Sequence, residues 1–366
     1  MTIEKQQIIS DINQFITEEL DDVVKPFDES DAYPGEYVQK LIDLKLLDLV
    51  DNNEFEAFFK LISRISAKFP ALGSILLTQA VYGVLSLKMF GTQEQQERYL
   101  VEALKGSNMI GYAFTEETHG SRYWNFDTKA EETPDGWVIT GRKATVSNAS
   151  VSSTLIVGAL VENTTGDDEL GLFLVETDAK GVLVEEPFEK MGMHGLPVSQ
   201  VRFDKVFISR QQLLGETLSG ISQHDALIDK MRLAISAQSV GIARGSLEKA
   251  FKFTRSKRKF GGRLIDLELT QYRLAELITL LEATESFLDD VVKNHLDDKR
   301  KISMVKLMSA QMAVDITESV LQLTGGHGYM RNNEIERYVR DAKLLPIYGG
   351  SQDTQKITII EPWLAN

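Results

Sequence analysis

The sequence contains no cysteine. This absence excludes disulfide bonds, thiolate nucleophiles, iron–sulfur clusters and zinc sites with cysteine ligands. It also fits a protein that works in a reducing compartment, so we expect a cytoplasmic location.

Basic residues are also in short supply. The chain of 366 residues has 40 Lys and Arg against 54 Asp and Glu, which gives a formal net charge of −14 at pH 7. A large nucleic-acid footprint needs a basic face, so this balance argues against a nucleic-acid partner. The hydrophobic share of 43% and the charged share of 26% are ordinary for a folded protein, which excludes extensive disorder.

Long apolar runs are lacking as well. The N-terminal segment MTIEKQQIISDINQF is polar and amphipathic and has no apolar core of a signal peptide. The apolar stretch 71–84 is interrupted by Gly, Ser, Thr and Gln, and it is shorter than the roughly 18–20 residues that a membrane span needs. We therefore expect a soluble protein with no membrane partner.

Several widespread ligand-binding and catalytic motifs are missing. The sequence has no G-x-G-x-x-G turn, no G-x-x-x-x-G-K-S/T loop, no H-E-x-x-H helix and no G-x-S-x-G elbow. The five histidines do not have the spacing of metal ligands, so we expect no metal site. These motifs therefore leave the function open.

The predicted secondary structure divides the chain into three zones. Residues 3–108 and 213–366 carry apolar residues at helical spacing, and short β-rich runs alternate with turns between them. We predict an α+β protein with an N-terminal helical domain (1–108), a central antiparallel β domain (109–212) and a C-terminal domain of long bundled helices (213–366). The predicted strands are 137–140, 153–160, 171–176, 181–185 and 198–206.

Five longer segments carry more information. They read G-Y-A-F-T-E-E-T-H-G-S (111–121), K-A-T-V-S-N (143–148), K-M-G-M-H-G (190–195) with V-R-F-D-K-V (201–206), K-F-G (259–261), and Q-L-T-G-G-H-G-Y (322–329) with E-R-Y-V-R-D-A-K (336–343). In this order they resemble the signature segments of the acyl-CoA dehydrogenase superfamily, and the resemblance runs from about residue 90 to the C-terminus. Within the last segment we predict a structural ion pair between Arg340 and Asp341.

The resemblance implies an FAD site between the β domain and a C-terminal four-helix bundle. The site is shared across a subunit interface, which implies a homodimer or homotetramer. Phe114 and Thr115 match contacts to the flavin pyrimidine ring, and Ser147 matches the hydroxyl that bonds flavin N5, where donors stabilise the reduced ring. The other matches are a phosphate or substrate contact (Ser121), the residues that hold the ADP part from the neighbouring subunit (Phe260, Gln322, Gly325 and Gly326), a further cofactor contact (Ser351) and an arginine that lines the catalytic cavity (Arg232).

The catalytic base of the resembled family is missing from its usual place. Acyl thioester α-protons are weak acids, and the family removes one with a glutamate, usually in a Y-E-G-T motif. Here the segment 347–351 reads I-Y-G-G-S, with Gly349 at the glutamate position. Some members place the base one residue before the arginine that matches Arg232, and that residue is Met231. Four replacements are candidates by sequence position alone: Glu116, Glu117, His119 and Asp353.

Further differences concern the flavin site. Thr145 stands where the resembled family has the tryptophan that covers the flavin ring. Lys257 replaces the arginine of R-x-x-F-G, and Glu268 replaces the glutamine eight residues after the phenylalanine. Lysine cannot reproduce the forked hydrogen bonding of arginine.

Three functions remain open at this point. The first is an FAD-dependent oxidoreductase that acts on the CH–CH bond of an acyl thioester, bound to CoA or to an acyl carrier protein, in biosynthetic metabolism. Its electron acceptor would be a flavoprotein or oxygen. The second is a flavin-dependent monooxygenase or hydroxylase of the same fold, which needs no base for an α-proton. The third is a non-redox enzyme or a binding protein that has lost FAD. If only the base is missing, we expect Gly349→Glu to gain dehydrogenase activity.

Overall fold

The computed structural model describes residues 3–20, 23–118, 126–161, 169–258 and 261–364. Two predicted site residues, Ser121 and Phe260, and the candidate base His119 lie outside these ranges.

The chain begins with a set of packed helices. Their apolar residues recur every three or four positions, as in the phenylalanines and leucines of 55–62, and these face a common core. The helices are Ile3–Glu19 (α1), Val24–Ser30 (α2), Gly35–Asp43 (α3), Asp48–Asp51 (α4), Phe55–Lys68 (α5), Pro70–Thr78 (α6), Ser86–Phe90 (α7), Gln93–Gln95 (α8) and Val101–Lys105 (α9), with π-helical turns at Gln79–Leu85 and Gln96–Leu100.

One of these helices extends beyond the apolar stretch 71–84. Among the described residues, Pro70–Phe90 forms a continuous helix of 21 residues that contains an 18-residue window with a mean hydropathy of 1.4, so it is long and apolar enough to span a membrane. However, 94% of that window is buried inside the protein, so its apolar surface forms part of the core. Gly73 allows this helix to pack closely on α5, because a Cβ there would overlap Ser66 Oγ.

The middle of the chain forms one mixed sheet. Its strands are Ile110–Ala113 (β1), Lys129–Thr133 (β2), Gly136–Ser147 (β3), Thr154–Val161 (β4), Glu169–Glu176 (β5), Val182–Val184 (β6) and Val198–Ser209 (β7). Their order in the sheet is β1-β4-β2-β3-β7-β6, and β5 pairs with the other edge of β4. Most pairings are antiparallel, as predicted, whereas β1 and β2 both pair with β4 in parallel.

The C-terminal part contains the predicted long helices. Its elements are Gly220–Arg255 (α10), Lys257–Arg258 (β8), Gly261–Arg263 (β9), Glu268–Asn294 (α11), Lys299–Thr324 (α12), Gly326–Tyr329 (α13), Ile335–Ala342 (α14) and Gln352–Leu364 (α15). Four of the helices, α10, α11, α12 and α15, pack together as a bundle, and α10 also packs against α5. The contact between α10 and α5 is close, because a Cβ on Gly241 or Gly245 would overlap carbonyl oxygens of α5.

A buried cluster of charged groups joins all three parts of the chain. Arg340 of α14 donates to both carboxylate oxygens of Asp28 in α2, at 2.9 and 2.6 Å, and His194 Nδ1 lies 2.6 Å from the Asp28 carbonyl oxygen. The predicted pair between Arg340 and Asp341 is wrong, because successive residues of a helix point in different directions. Asp341 instead accepts the backbone N–H of Met193 at 2.5 Å. The K-M-G-M-H-G and E-R-Y-V-R-D-A-K segments therefore hold the parts together.

Candidate functional site

Two segments that carry hydroxyl groups, the end of β3 and the residues after β1, lie side by side. The N–H of Ala144 in β3 donates to the carbonyl of Thr115, which follows β1, at 2.8 Å. Thr115 and Thr145 are exposed and Ser147 is half-buried. The strands are close at this point, since a Cβ on Gly111 would lie 3.3 Å from the Ser147 carbonyl. The structure thus brings together the predicted residues Thr115 and Ser147 on a surface that we call the hydroxyl ledge (Thr115, Thr145 and Ser147).

A buried ion pair supports the hydroxyl ledge from below. Lys143 Nζ donates to Glu116 Oε1 at 2.6 Å and to the Phe114 carbonyl at 3.2 Å, and the two charged side chains are 0 and 3% exposed. Backbone N–H groups of Asp127 and Thr128 also donate to the Glu116 carboxylate. Burial opposes the ionisation of Glu116, but the Lys143 ammonium outweighs it and lowers the pKa of Glu116. Glu116 is therefore a structural anion.

The other described candidate bases are also committed elsewhere. Glu117 is exposed and lies 3.8 Å from Arg142, and Asp353 accepts from Lys356 at 3.1 Å on the surface of α15. Neither carboxylate contacts a predicted site residue in the described part of the chain. The structure therefore does not place Glu116, Glu117 or Asp353 where the side chain could act as the catalytic base.

A stack of aromatic rings connects the sheet to the first bundle helix. The ring of Phe114 lies 3.8 Å from His224 of α10 at an angle of 4°, and Tyr112 Oη lies 2.9 Å from His224 Nδ1. Tyr82 stacks on Tyr112 at 4.0 Å. Burial lowers the pKa of His224 to about 4, so this ring is neutral at pH 7. The sequence analysis gave none of these three residues a role: Tyr112 lies in the 111–121 segment without an assigned contact, and His224 and Tyr82 lie outside the recognised segments.

Arg232 lies two turns further along α10. Its Nη1 donates to Asp229 Oδ1 at 2.9 Å, and only 8% of the residue is exposed. Burial raises the pKa of Asp229, although the Arg232 charge opposes that rise. Met231, at the alternative base position, is a buried apolar side chain.

The segment that matches the family's glutamate is a turn of two glycines, Gly349 and Gly350, which we call the glycine turn. Their φ angles are +67° and +89°, in the left-handed region that favours glycine. A Cβ on Gly349 would overlap Ile235 Cδ1 of α10, so a methyl group occupies the space that a larger side chain would need. A Cβ on Gly350 would lie 3.6 Å from Arg232 Nη2. The predicted pair Gly349 and Arg232 is thus brought together.

A buried lysine holds the glycine turn from α12. Lys306 Nζ donates to the Gly350 carbonyl at 2.7 Å, and Gln355 Nε2 donates to the same oxygen at 3.1 Å. Burial lowers the pKa of Lys306 to about 8, and the nearby Arg232 charge lowers it in the same direction. The sequence analysis missed Lys306 because a single lysine in a helix carries no pattern.

Hydrogen bonds through α6 link the end of β3 to the segment that carries the glycine turn. Asn148, next to Ser147, donates to the Ile75 carbonyl of α6 at 3.2 Å. Gln238 Nε2 of α10 donates to Ser74 Oγ of α6 at 2.8 Å, and Tyr348 donates to Gln238 Oε1. Because Tyr348 precedes the glycine turn, α6 connects the hydroxyl ledge and the glycine turn through a short series of contacts.

Some predicted residues lie far from this site in the same chain. Gln322 is sixteen residues beyond Lys306 in α12, which corresponds to about 24 Å along the helix. Gly325 and Gly326 follow it, are exposed, and would meet no atom within 4 Å if they carried a Cβ. Ser351 lies at the start of α15, where its Oγ accepts the Thr354 N–H at 3.3 Å. One chain alone therefore does not assemble the full predicted set.

Comparisons with known proteins complete the description of the site. Three family models match consecutive parts of the chain: the N-terminal domain of acyl-CoA dehydrogenase at residues 2–107, the middle domain at 111–206 and the C-terminal domain at 219–363. The 3-(aryl)acrylate reductase of Clostridium sporogenes is 27% identical over 355 residues, which cover 94% of each chain.

Two solved structures have the same fold. Butyryl-CoA dehydrogenase from Megasphaera elsdenii superposes with a TM-score of 0.92 at 21% identity and covers 100% of this chain and 99% of its own. The prolyl acyl carrier protein oxidase AnaB superposes with a TM-score of 0.91 at 23% identity and covers 99% of both chains. The TM-scores show that the fold is alike, and at these identities the likeness concerns the fold alone.

Proposed function

The chain belongs to the acyl-CoA dehydrogenase superfamily, and on this premise we propose that it binds FAD and acts on the CH–CH bond of an acyl thioester. The observation that carries the proposal is the hydroxyl ledge, whose segments the Ala144–Thr115 hydrogen bond joins and which α6 connects to the glycine turn. Relatives named as a reductase, a dehydrogenase and a carrier-protein oxidase support a redox reaction on an acyl unit in either direction.

The residues of this chain fit an FAD molecule at both of its ends. Members of the superfamily are FAD-dependent flavoproteins, and bound FAD would supply the acceptor or donor of a hydride. The hydroxyls of the exposed Thr115 and the half-buried Ser147 would hold the flavin ring by hydrogen bonds. The open surface at Gly325 and Gly326 has no side chain in the way and would hold the pyrophosphate and adenosine part of a second chain's FAD.

We further propose that this enzyme works without a carboxylate at residue 349. Glycine stands there, Ile235 fills the adjacent space, and the buried carboxylates Glu116 and Asp229 are each engaged with a buried cation. The acyl carrier would be CoA or an acyl carrier protein, since both present the acyl group on a pantetheine arm, and the reaction would serve a biosynthetic step.

A homodimer or homotetramer would complete the site. The separation of about 24 Å between Lys306 and Gln322 along α12 supports a second copy as the source of the adenosine-binding residues. An apolar groove of about 480 Å³ between α11, α12 and α15 offers a surface for such a contact. Its apolar lining consists of Leu280, Met304, Leu307, Met308, Met312 and Ile359.

FAD binding by the purified protein tests the proposal directly. We expect the protein to be yellow, and we expect Ser147→Ala to weaken FAD binding by roughly tenfold, because one hydrogen bond to the ring is lost. Thr140→Ala is the matched control, since Thr140 is an exposed hydroxyl seven residues before Ser147 in the same strand. A colourless protein that takes up no FAD would leave the binding-protein alternative.

The reaction class is tested with an acyl thioester in the absence of oxygen. Bleaching of the flavin band would identify a dehydrogenase. A flavin that thioesters do not bleach, and that hydroxylates the acyl substrate with oxygen after dithionite or NADH has reduced it, would identify a monooxygenase. Gly349→Glu alone is a poor test of the missing base, because the backbone is left-handed and Ile235 is in the way. The double variant Gly349→Glu with Ile235→Ala restores the space and is expected to gain activity over Ile235→Ala alone.

A further inference from the structure

Two buried cations meet at the glycine turn with only one carboxylate between them. Lys306 is fully buried and donates to the Gly350 carbonyl at 2.7 Å, and Arg232 Nη2 lies 3.6 Å from the position of a Cβ on the same glycine. Asp229 is bound to Arg232 at 2.9 Å. Among the described residues, no carboxylate forms an ion pair with Lys306. The pair of cations therefore retains one uncompensated positive charge, and buried charges of this kind are costly without a counter-charge.

Arg232 also has an unused edge. A guanidinium can hold a carboxylate with Nη1 and Nη2 or with Nε and Nη2. Asp229 occupies Nη1, while Nε is completely buried and neither Nε nor Nη2 donates a hydrogen bond within the described part of the chain. An unpaired buried donor costs free energy, so this edge is prepared for an acceptor that the protein itself does not provide.

We propose that Arg232 and Lys306 bind a carboxylate carried by the acyl group of the substrate, at the end away from the sulfur atom. This inference rests on the proposed function and deepens it, because it assigns the substrate class as a dicarboxylic acyl thioester. The single excess charge matches one carboxylate better than a dianionic phosphate. The planar Nε–Nη2 edge of Arg232 also matches the two oxygens of a carboxylate. Where the family has a glutamate, the carboxylate here comes with the ligand.

Calorimetric binding to the FAD-saturated protein tests this assignment. The probes are pantetheine thioesters of succinate and glutarate, each compared with its uncharged isostere, the 4-methylpentanoyl and 5-methylhexanoyl thioesters. A branched methyl pair has the shape of a carboxylate without its charge. We expect the dicarboxylic thioester of suitable length to bind about tenfold more tightly than its isostere, or better, because two charged hydrogen-bonding groups recognise it.

Lys306→Met provides the decisive variant. It should reduce the preference for the carboxylate to less than about threefold and leave the melting temperature of the ligand-free protein unchanged or higher, since an uncompensated buried charge is removed. Lys301→Met, on the same helix beside His295, is the matched control and should keep the full preference. The double variant Asp229→Asn with Arg232→Gln removes the second cation together with its partner and should also abolish the preference.

Several results would overturn the assignment. Equal binding of acid and isostere would do so, as would an undiminished preference in Lys306→Met. A melting temperature that falls further for Lys306→Met than for Lys301→Met would identify Lys306 as a structural donor to Gly350. If neither series of thioesters binds, the carboxylate site is refuted, and FAD uptake, measured separately, shows whether the flavoprotein assignment stands.

Discussion

The ion pair under the hydroxyl ledge allows a quantitative prediction. Lys143→Met keeps the length and apolar stem of the side chain but removes the ammonium that lies 2.6 Å from Glu116. The Glu116 carboxylate then stays buried with only two backbone N–H donors, at 2.6 and 3.1 Å. Breaking a buried ion pair by removing one partner costs about 3–5 kcal/mol. We expect about 3 kcal/mol, the lower end, because the backbone donors remain.

A neighbouring pair on the same strand provides the control. Arg142 lies next to Lys143 and pairs with Glu117 at 3.8 Å, but their side chains are 53 and 77% exposed. Exposed pairs contribute about 0–1 kcal/mol, so Arg142→Met should change the free energy of unfolding by less than about 1 kcal/mol. The two substitutions remove the same charge from adjacent residues and differ in burial.

Urea denaturation followed by circular dichroism measures both effects at fixed protein and FAD concentrations. The double variant Glu116→Gln with Lys143→Met should be less destabilised than the sum of the two single variants, since it leaves no unpaired buried charge. The reasoning is refuted if Lys143→Met costs no more than Arg142→Met. It is also refuted if the double variant equals the sum, because the two groups would then not interact.

Three further predictions concern other parts of the molecule. The pKa of His224 is about 4 in the folded protein against about 6.5 in the unfolded chain, so its contribution to stability is complete above pH 6.5 and falls by about 2 kcal/mol at pH 5. His224→Gln should remove this difference between urea titrations at neutral pH and at pH 5. Asp28→Asn weakens the charged hydrogen bonds to Arg340 and should lower the free energy of unfolding by about 1–3 kcal/mol; an unchanged urea midpoint would contradict the role of this cluster. Met308→Glu places a charge in the apolar groove and should dissociate the proposed oligomer in light scattering, whereas Met89→Glu, at an exposed residue outside the groove, should not.

Local patterns in the sequence predicted most of the architecture. The three zones follow from helical and β-rich periodicity. Helical spacing predicts two long helices at 271–294 and 300–323, and α11 and α12 begin and end within three residues of these limits. The strands β1 and β2 were missed. Ile110–Ala113 is short and buried throughout, so it lacks the alternation of a half-exposed strand, and Lys129–Thr133 is mostly charged.

The candidate site was predicted only in part, and the reason is the range of its contacts. The resemblance indicated Thr115, Ser147 and Arg232, which lie in recognisable segments. The contact between Ile235 and Gly349 joins residues more than a hundred positions apart, and Lys306 reaches the glycine turn from another helix. Local residue spacing predicts neither contact, because each contact depends on which groups the packed helices bring together.

The Ile235 methyl group beside Gly349 makes the loss of an acid at this turn hard to reverse. A single change that restores glutamate would meet both an unfavourable backbone conformation and a side chain already in its place. Such a variant would be penalised in stability before any gain in catalysis could be selected or measured. A glutamate at residue 349 therefore needs an earlier change that moves or shortens the Ile235 side chain of α10. The order of the substitutions at residues 349 and 235 then decides whether each one is tolerated.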